Sequence, residues 1–288
     1  MIYDTFPFFN ELELLEVRLH ELDPVVDRFV LAEATRTHSN QPKPLYFQEN
    51  RSRFERFLPK ISHVIVDDMP DSSDTWALEN HQRTAIARGL PRCQPEDLIL
   101  HSDVDEIPRA SSVAALPRRM IFRDGPLIRA GHGILRRPGV YRLIRNVLKK
   151  FHPFVWVFEH RQFYFHLNLG CVDLPVWQGT RATFYRDFTT AYYLRRWRGH
   201  LITNAGWHFS YMGGADRVRQ KIQAYAHQEH NIPEFTDLKR IESVLRDGQW
   251  IYGDEHKLRV VELDDSFPKF ITSNRQKFAG WLKRNEAP

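Results

Sequence analysis

The stretch DLILHSDVDEIPR, residues 97–109, decides the fold prediction. Its apolar first part, at 97–101, predicts a buried β-strand, because a short apolar run bounded by polar residues is typical of a strand in a parallel sheet. The run leads directly into three carboxylates, Asp103, Asp105 and Glu106. In open α/β sheets, ligands bind beyond the carboxyl ends of the strands. The stretch therefore predicts a ligand site at the end of a central strand.

Three earlier apolar runs, at 2–6, 28–32 and 63–66, predict strands that precede this one. Polar segments with helical periodicity separate them, and strands that alternate with helices imply right-handed crossovers. The predicted fold class is therefore α/β, with a Rossmann-type, mainly parallel sheet and helices on both faces.

The clearest helix pattern between these strands has leucines at 12, 15, 19 and 22, which recur at helical spacing. Asn10, followed three residues later by Glu13, forms a capping-box pattern at its start. Further helices are predicted around 48–57 and from 72–74 to residue 90.

The bulk composition indicates a globular protein, with 288 residues, of which 42% are hydrophobic and 27% charged. We expect one domain, 1–288, with a nucleotide-sugar and metal-binding half at 1–110 and an acceptor-binding half at 111–288. Aromatic residues make up 13% of the chain, an excess that suits stacking on bases or sugar rings. The net charge of +5 is compatible with nucleic acid, an anionic membrane surface or a phosphorylated small molecule.

The two cysteines, Cys93 and Cys171, provide no disulfide framework, so we expect reduced thiols in a cytoplasmic protein, with a single disulfide as the alternative. The N-terminus has no basic segment followed by an apolar stretch, and the chain has no run of 18 apolar residues. We therefore expect neither a signal peptide nor a membrane-spanning helix.

Asp103 and Asp105 are predicted to bind a divalent cation. Two carboxylates two residues apart in an extended segment point the same way, and Glu106 adds a third. Clustered carboxylates repel one another unless a cation or a proton joins them, and hard oxygen ligands suit Mn²⁺ or Mg²⁺. The alternatives are a solvated acidic loop or a helix N-cap. A haloacid-dehalogenase-type phosphatase would carry its Asp-x-Asp on the first strand, where this chain has Tyr3-Asp4-Thr5.

Four segments of the chain strongly resemble glycosyltransferase family 17: YDTFPFFNELELLEVRLHEL at 3–22, VDRFVLAEATRTHSNQPKPLYFQEN at 26–50, HSDVDEIPR at 101–109 and GWHFSYMGG at 206–214. The resemblance implies a GT-A-type fold, UDP-N-acetylglucosamine as donor, Mn²⁺ or Mg²⁺ as cofactor, and inversion at the anomeric carbon. For the acceptor we expect a glycan or a lipid-linked sugar, although the resemblance does not identify it. Animal members of the family carry a membrane anchor, so we expect this chain to be a soluble bacterial or viral relative.

The resemblance also suggests catalytic and metal-binding residues. His208, in GWHFS, is expected to join Asp103 and Asp105 in the metal shell, with a buried structural histidine as the alternative. Asp105 and Glu106 are predicted catalytic carboxylates. For the general base that removes the acceptor's proton, Glu229 ranks first and Asp254 second, each with a surface carboxylate as the alternative.

Further donor-binding candidates lie at predicted strand and helix ends. Asp4 could contact the nucleotide or cap a turn, and Glu33 could accept from the uracil or ribose or pair with Arg36. Arg83 could hold the diphosphate or be a solvated helix residue. Asp103 could bind the diphosphate through its metal. Gly213 would leave room for backbone close to a ligand.

A basic stretch at 129–150, with an amphipathic part at 136–150, could contact an anionic membrane or a lipid-linked acceptor, or be a solvated helix face. No nucleic-acid-binding module is recognised. The sequence thus favours an inverting, metal-dependent N-acetylglucosaminyltransferase, cytoplasmic or peripheral at the inner membrane face. The alternatives are a non-catalytic protein that binds a sugar or lipid head group, and a metal-dependent phosphohydrolase.

Overall fold

A mixed sheet of ten strands forms the centre of the computed structural model, which describes residues 1–116, 151–253 and 256–284, with 151–153 described as backbone. In chain order the strands are β1 Ile2–Phe8, β2 Arg28–Ala34, β3 Ile61–Val66, β4 Leu98–His101, β5 Glu106–Pro108, β6 Phe151–Tyr164, β7 Leu169–Cys171, β8 Val176–Phe184, β9 Arg198–Ser210 and β10 Leu258–Val260.

The α-helices of the same residues are α1 Leu12–Leu22, α2 Tyr46–Glu49, α3 Thr75–Ala85, α4 Ala110–Ala114, α5 Ala191–Arg196, α6 Ala215–Ala224, α7 Pro233–Thr236, α8 Leu238–Asp247 and α9 Lys269–Ser273. Short 3₁₀ helices cover Arg51–Lys60, Ile86–Gly89, Tyr185–Asp187, Gln228–His230 and Ala279–Trp281. None of the helices in the described parts of the chain is long and apolar enough to cross a bilayer.

The first four strands run parallel in the order β3-β2-β1-β4, which confirms the predicted α/β class. Both faces of this part of the sheet are covered. On one face Phe29 and Leu31 pack with Leu15 of α1, and on the other Val30 packs with Ile86 beside α3. Because both faces are buried, these strands read as nearly continuous apolar runs.

The second half of the chain makes the sheet mixed. β8 pairs antiparallel with β4 and with β6, whereas β6 pairs parallel with β9. β5 pairs antiparallel with the end of β9, so that Glu106 lies opposite His208. The mainly parallel arrangement predicted from the sequence therefore describes the first four strands, and the later strands extend the sheet beyond β4 through both antiparallel and parallel pairs.

The predicted helix α1 is confirmed, but its capping box is wrong. Glu11, not Asn10, occupies the N-cap position, and its carboxylate accepts from the backbone N–H of Asn10 at 3.0 Å. The Asn10 side chain instead donates to Gln220 at 3.1 Å. The tertiary contact with α6 thus replaces the local cap.

The other predicted helices of the first half have shorter α-helical parts than expected. The segment predicted at 48–57 consists of α2 followed by a 3₁₀ helix. The helix predicted from 72–74 to residue 90 begins at Thr75, where Asp74 caps the backbone N–H of Trp76, and becomes 3₁₀ after Ala85.

Candidate functional site

A cavity of about 700 Å³ opens beyond the carboxyl ends of β1 and β4. This is the edge of the sheet at which ligands bind in open α/β folds. The first half of the chain contributes one part of its wall and the elements from β6 onward contribute the rest. The residues that line it include Glu11, Arg83, Asp103, Asp105, Glu106, Trp177, Arg195, His208 and Lys221.

The acidic loop, residues 102–106 after β4, is held in place by Arg18 of α1. This side chain is fully buried, and its guanidinium donates to the carbonyl oxygens of Asp103 at 2.8 Å and Glu106 at 2.9 Å. It also donates to the Ser102 hydroxyl at 2.7 Å. These buried, charge-assisted bonds fix the backbone of the loop, whose carboxylates line the cavity.

Asp4, a predicted nucleotide contact, forms a buried ion pair with Arg18. The strand β1 extends to Phe8, so Asp4 lies in its middle and not at its end. Its carboxylate is fully buried and lies 2.6 Å from Arg18 Nη2. Asp4 does not line the cavity, and in this arrangement it supports the acidic loop instead of meeting a nucleotide.

Three protein cations face the three carboxylates of the acidic loop. Asp103 lies 2.7 Å from Arg83 Nη1 and 2.9 Å from Arg195 Nη2. Arg195 also clasps both carboxylate oxygens of Glu106, with 2.7 Å between Nη2 and Oε1.

Lys221 of α6 is the third cation, and its Nζ lies 2.6 Å from Asp105 Oδ2. Of the three cations, the sequence pointed to Arg83 as a possible diphosphate contact, and Arg83 lines the cavity. It missed Arg195 and Lys221, whose partners are 89–116 residues away in the chain.

These charges keep the acidic loop ionised. Burial would raise the pKa of Glu106, but the charge of Arg195 outweighs it and lowers the pKa to about 2. Burial likewise opposes ionisation of Asp103, yet Arg195 and Arg83 hold the pKa of that carboxyl well below its usual range. Carboxylates with such low pKa values accept a proton poorly near neutral pH. Glu106 is therefore better suited to fixing charge than to general base catalysis.

Glu106 also ties the two halves of the wall together. Its side chain is 1% exposed, and its carboxylate accepts from Trp177 Nε1 at 2.5 Å and from the backbone N–H of Asp103 at 2.9 Å. Behind it lies His160, which is fully buried and whose pKa burial lowers to about 3. A Cβ atom on Gly179 would lie 2.6 Å from His160 Nδ1, so this position of β8 needs a glycine.

The predicted metal ligands Asp103, Asp105 and His208 all line the cavity. Asp105 Oδ1 lies 3.9 Å from His208 Nε2, which is too long for a hydrogen bond. Two ligands at about 2.1 Å from one ion lie about 3–4 Å apart, so this spacing fits a shared cation. Two carboxylates and an imidazole are suitable donors for Mn²⁺.

Asp103 is engaged by an arginine on each of its oxygens. Its Oδ1 lies 2.7 Å from Arg83 Nη1, and its Oδ2 lies 2.9 Å from Arg195 Nη2. The residues present therefore fit a divalent cation in chemistry, with Asp105 and His208 already at a suitable separation.

Two donor-binding candidates lie away from the cavity. Glu33 is fully buried in β2, where it accepts from the backbone N–H of Phe47 at 2.8 Å and contacts His63 Nε2 at 3.0 Å. Gly213 has a φ of +98°, and a Cβ atom there would lie 2.9 Å from the Arg217 side chain. Its glycine thus serves the turn between β9 and α6, and Gly213 does not line the cavity.

Of the two candidate bases, the structure describes Glu229, which it does not bring to the acidic loop. Glu229 lies at the surface, 59% exposed, and its carboxylate contacts His227 Nδ1 at 2.6 Å. That hydrogen bond lowers the pKa of Glu229. Asp254 and the basic stretch at 129–150 lie outside the described residues.

Glu11 is a cavity-lining carboxylate that the sequence did not single out. Burial raises its pKa, while Lys221 opposes the shift. Its N-cap position explains why it was missed, because a glutamate at the start of an amphipathic helix is ordinarily a surface residue.

Comparison with known sequences supports the resemblance. Residues 1–119 match the sequence model of glycosyltransferase family 17, so this part of the chain carries the family's sequence pattern. The beta-1,4-mannosyl-glycoprotein 4-beta-N-acetylglucosaminyltransferases of Rattus norvegicus, Mus musculus and Homo sapiens are each 25% identical to it over 301 residues. The alignments cover 93% of this chain and 52% of each relative, so the chain spans about half their length.

Two solved structures show weaker similarity. Staphylococcus aureus TarS 1–349 is 7% identical with a TM-score of 0.37, over 85% of this chain and 65% of that one. Glucosyl-3-phosphoglycerate synthase from Mycobacterium tuberculosis, solved with Mn²⁺, UDP-glucose and phosphoglyceric acid, is 13% identical with a TM-score of 0.34, over 94% and 91%. These TM-scores are low, so the description of the fold rests on this chain's own strand order.

Proposed function

We propose that this relative of glycosyltransferase family 17 transfers N-acetylglucosamine from UDP-N-acetylglucosamine to a glycan or glycolipid acceptor, with inversion to a beta linkage and with a bound divalent cation. The observation that carries the proposal is the acidic loop after β4. It brings three carboxylates and three cations to one wall of a cavity large enough for a nucleotide sugar.

The charges of this wall suit a diphosphate that arrives with a metal. Arg83, Arg195 and Lys221 balance Asp103, Asp105 and Glu106, so the group is close to neutral before a ligand enters. A diphosphate ester adds two negative charges, and a divalent cation would cancel them. When bound, Mn²⁺ or Mg²⁺ would supply Lewis-acid stabilisation of the departing UDP.

The chain's own residues would act on the charge that develops as the sugar leaves. Asp105 and His208, with Asp103, would hold the cation. Arg83 and Lys221 would lie beside the diphosphate and stabilise its growing charge, because preorganised cations in a dry site are effective there. Arg195 would keep Glu106 and Asp103 oriented throughout.

The acceptor hydroxyl must lose a proton as it attacks the anomeric carbon. A suitable base has a pKa raised towards neutrality and faces the cavity. Glu11 meets both conditions, which makes it a candidate beside Glu229 and Asp254. Its hydrogen bond to the backbone of Asn10 would hold the carboxylate in a fixed orientation.

The test follows UDP release from UDP-N-acetylglucosamine with Mn²⁺ and a panel of glycan acceptors. We expect Asp103→Ala to reduce the rate by about 100-fold, the scale on which loss of a preorganised electrostatic group acts. Asp216→Ala is the matched control, because Asp216 is 72% exposed and pairs with Arg219. Removal of the metal with EDTA should have an effect comparable to that of Asp103→Ala.

UDP release by Asp103→Ala at the wild-type rate would show that the metal assignment is wrong. A preference for UDP-glucose or UDP-galactose would overturn the donor assignment and leave sugar transfer intact. Phosphate release from simple esters without acceptor would identify a phosphohydrolase instead.

A further inference from the structure

Trp177 of β8 combines an exposed ring with a rigid mounting beside the acidic loop. The residue is 38% exposed and lines the cavity. Its indole Nε1 donates to Glu106 at 2.5 Å, and its ring stacks on His208 with 5.4 Å between centroids and 30° between planes. Because His208 covers one face of the indole, the accessible area lies on the opposite face and the ring edge.

This arrangement is costly unless something covers the ring. An exposed indole leaves a large apolar surface in water, and large aromatic residues contribute most when they are buried. The hydrogen bond and the stacking contact also remove the ring's freedom before any ligand arrives. A fixed aromatic face binds with little further loss of entropy, which is the property of a preorganised recognition surface.

The chemistry of an indole face suits a sugar ring. Its π-electrons make the face negative, and one face of a pyranose presents C–H groups that carry a small positive charge.

The position of β8 in the sheet favours the acceptor sugar over the nucleotide. In the sheet, β8 lies on one side of β4, and β1 followed by β2 lies on the other side of β4. The loops after β1 and β2 and the Arg83 side chain therefore lie across the acidic loop from Trp177. In an inverting transfer, the acceptor must approach from the side opposite the leaving UDP.

We propose that Trp177 is the stacking platform for the acceptor's sugar ring, a specificity-determining residue of the transfer. The inference rests on the proposed function for the identity of the acceptor as a carbohydrate. Trp177 lies in the second half of the chain, outside the family match at 1–119, and the sequence patterns assign it no role.

Two substitutions in the full chain isolate the ring. Trp177→Phe and Trp177→Leu both remove the hydrogen bond to Glu106, but only the first keeps an aromatic face. Tyr193→Ala is the control, because Tyr193 is 53% exposed and lies outside the cavity. The probes are an array of mannose- and N-acetylglucosamine-terminated oligosaccharides, and titrations with UDP and UDP-N-acetylglucosamine in Mn²⁺.

We expect Trp177→Leu to bind its preferred array oligosaccharide about tenfold more weakly than Trp177→Phe, the scale of one aromatic stacking contact. UDP and UDP-N-acetylglucosamine should bind both variants equally. Equal oligosaccharide binding by the two variants, or no oligosaccharide binding by the wild type, would overturn the proposal. A loss of UDP affinity would assign the ring to the nucleobase, and a loss confined to UDP-N-acetylglucosamine would assign it to the donor sugar.

Failure of the proposed function would look different. A wild type that binds oligosaccharides through Trp177 but never releases UDP would leave the platform standing and identify a carbohydrate-binding protein.

Discussion

Replacing Arg195 with methionine tests whether the acidic loop depends on its internal cations. The guanidinium contacts both oxygens of Glu106 and lies 2.9 Å from Asp103 Oδ2. Glu106 is 1% exposed, so Arg195→Met leaves a buried carboxylate without its cation. Methionine keeps most of the side-chain volume, which confines the change to the charge and its hydrogen bonds.

The expected loss in the free energy of unfolding is about 3–5 kcal/mol, the cost of an unpaired buried charge. The lower end applies here, because Trp177 and the backbone of Asp103 still donate to Glu106. The assay is urea unfolding followed by circular dichroism at neutral pH. Arg196→Met is the matched control: Arg196 is exposed and bonds to the Tyr192 hydroxyl, so it should cost less than about 0.5 kcal/mol.

The double variant Arg195→Met/Glu106→Gln identifies the cause. If the loss comes from the stranded charge, neutralising Glu106 should recover a large part of it, with a coupling energy of about 1–3 kcal/mol. Two losses that simply add, or a loss below about 1 kcal/mol for Arg195→Met, would refute the assignment of Arg195 as the partner that Glu106 requires.

Two further predictions concern the same corner of the site. Gly179→Ala should lower the free energy of unfolding by about 1–3 kcal/mol in thermal unfolding, because its Cβ would lie 2.6 Å from His160 and 3.3 Å from Glu106. Gly280→Ala is the control and should be neutral, because the space around Gly280 is open. Equal effects of the two variants would contradict the close packing at Gly179. Lowering the pH from about 5 to 2 should destabilise the wild type, because folding lowers the pKa of Glu106. Such a carboxyl stabilises the folded state above its unfolded-state pKa, and this contribution is lost as the pH falls through its folded-state pKa. Glu106→Gln should flatten this part of the stability curve, and an unchanged slope would show that Glu106 is not the group that titrates.

The parts of the fold that could be predicted are those that local patterns specify. The leucine spacing of α1 and the apolar runs of the parallel strands reflect burial on one stripe or on both faces, and both are visible within a short window. The position of Asp103 and Asp105 followed from the same logic, because the end of a central parallel strand is where ligands bind. The capping box failed because Asn10 bonds to Gln220, 210 residues away in the chain.

The site residues that the sequence did not predict escaped prediction for the same physical reason. Arg195 and Arg196 are adjacent and identical in type, yet one clasps a buried carboxylate and the other is exposed. Lys221 lies on a helix whose charges read as a solvated face, and Trp177 lies in a strand with exposed residues. The role of each residue depends on a contact with another strand or helix. A local sequence pattern does not predict which distant residue will form that contact.

The three internal cations also change the case for a metal. Clustered carboxylates in a sequence indicate a cation that relieves their repulsion, but in this chain Arg83, Arg195 and Lys221 already relieve it. Repulsion among Asp103, Asp105 and Glu106 is therefore no longer a reason to require Mn²⁺. What remains is the separation between Asp105 and His208, which are 3.9 Å apart and face the cavity, together with the two charges that a diphosphate would bring. On this reasoning the metal's affinity should depend on the nucleotide: the chain without UDP should bind Mn²⁺ weakly, and the two ligands should bind together.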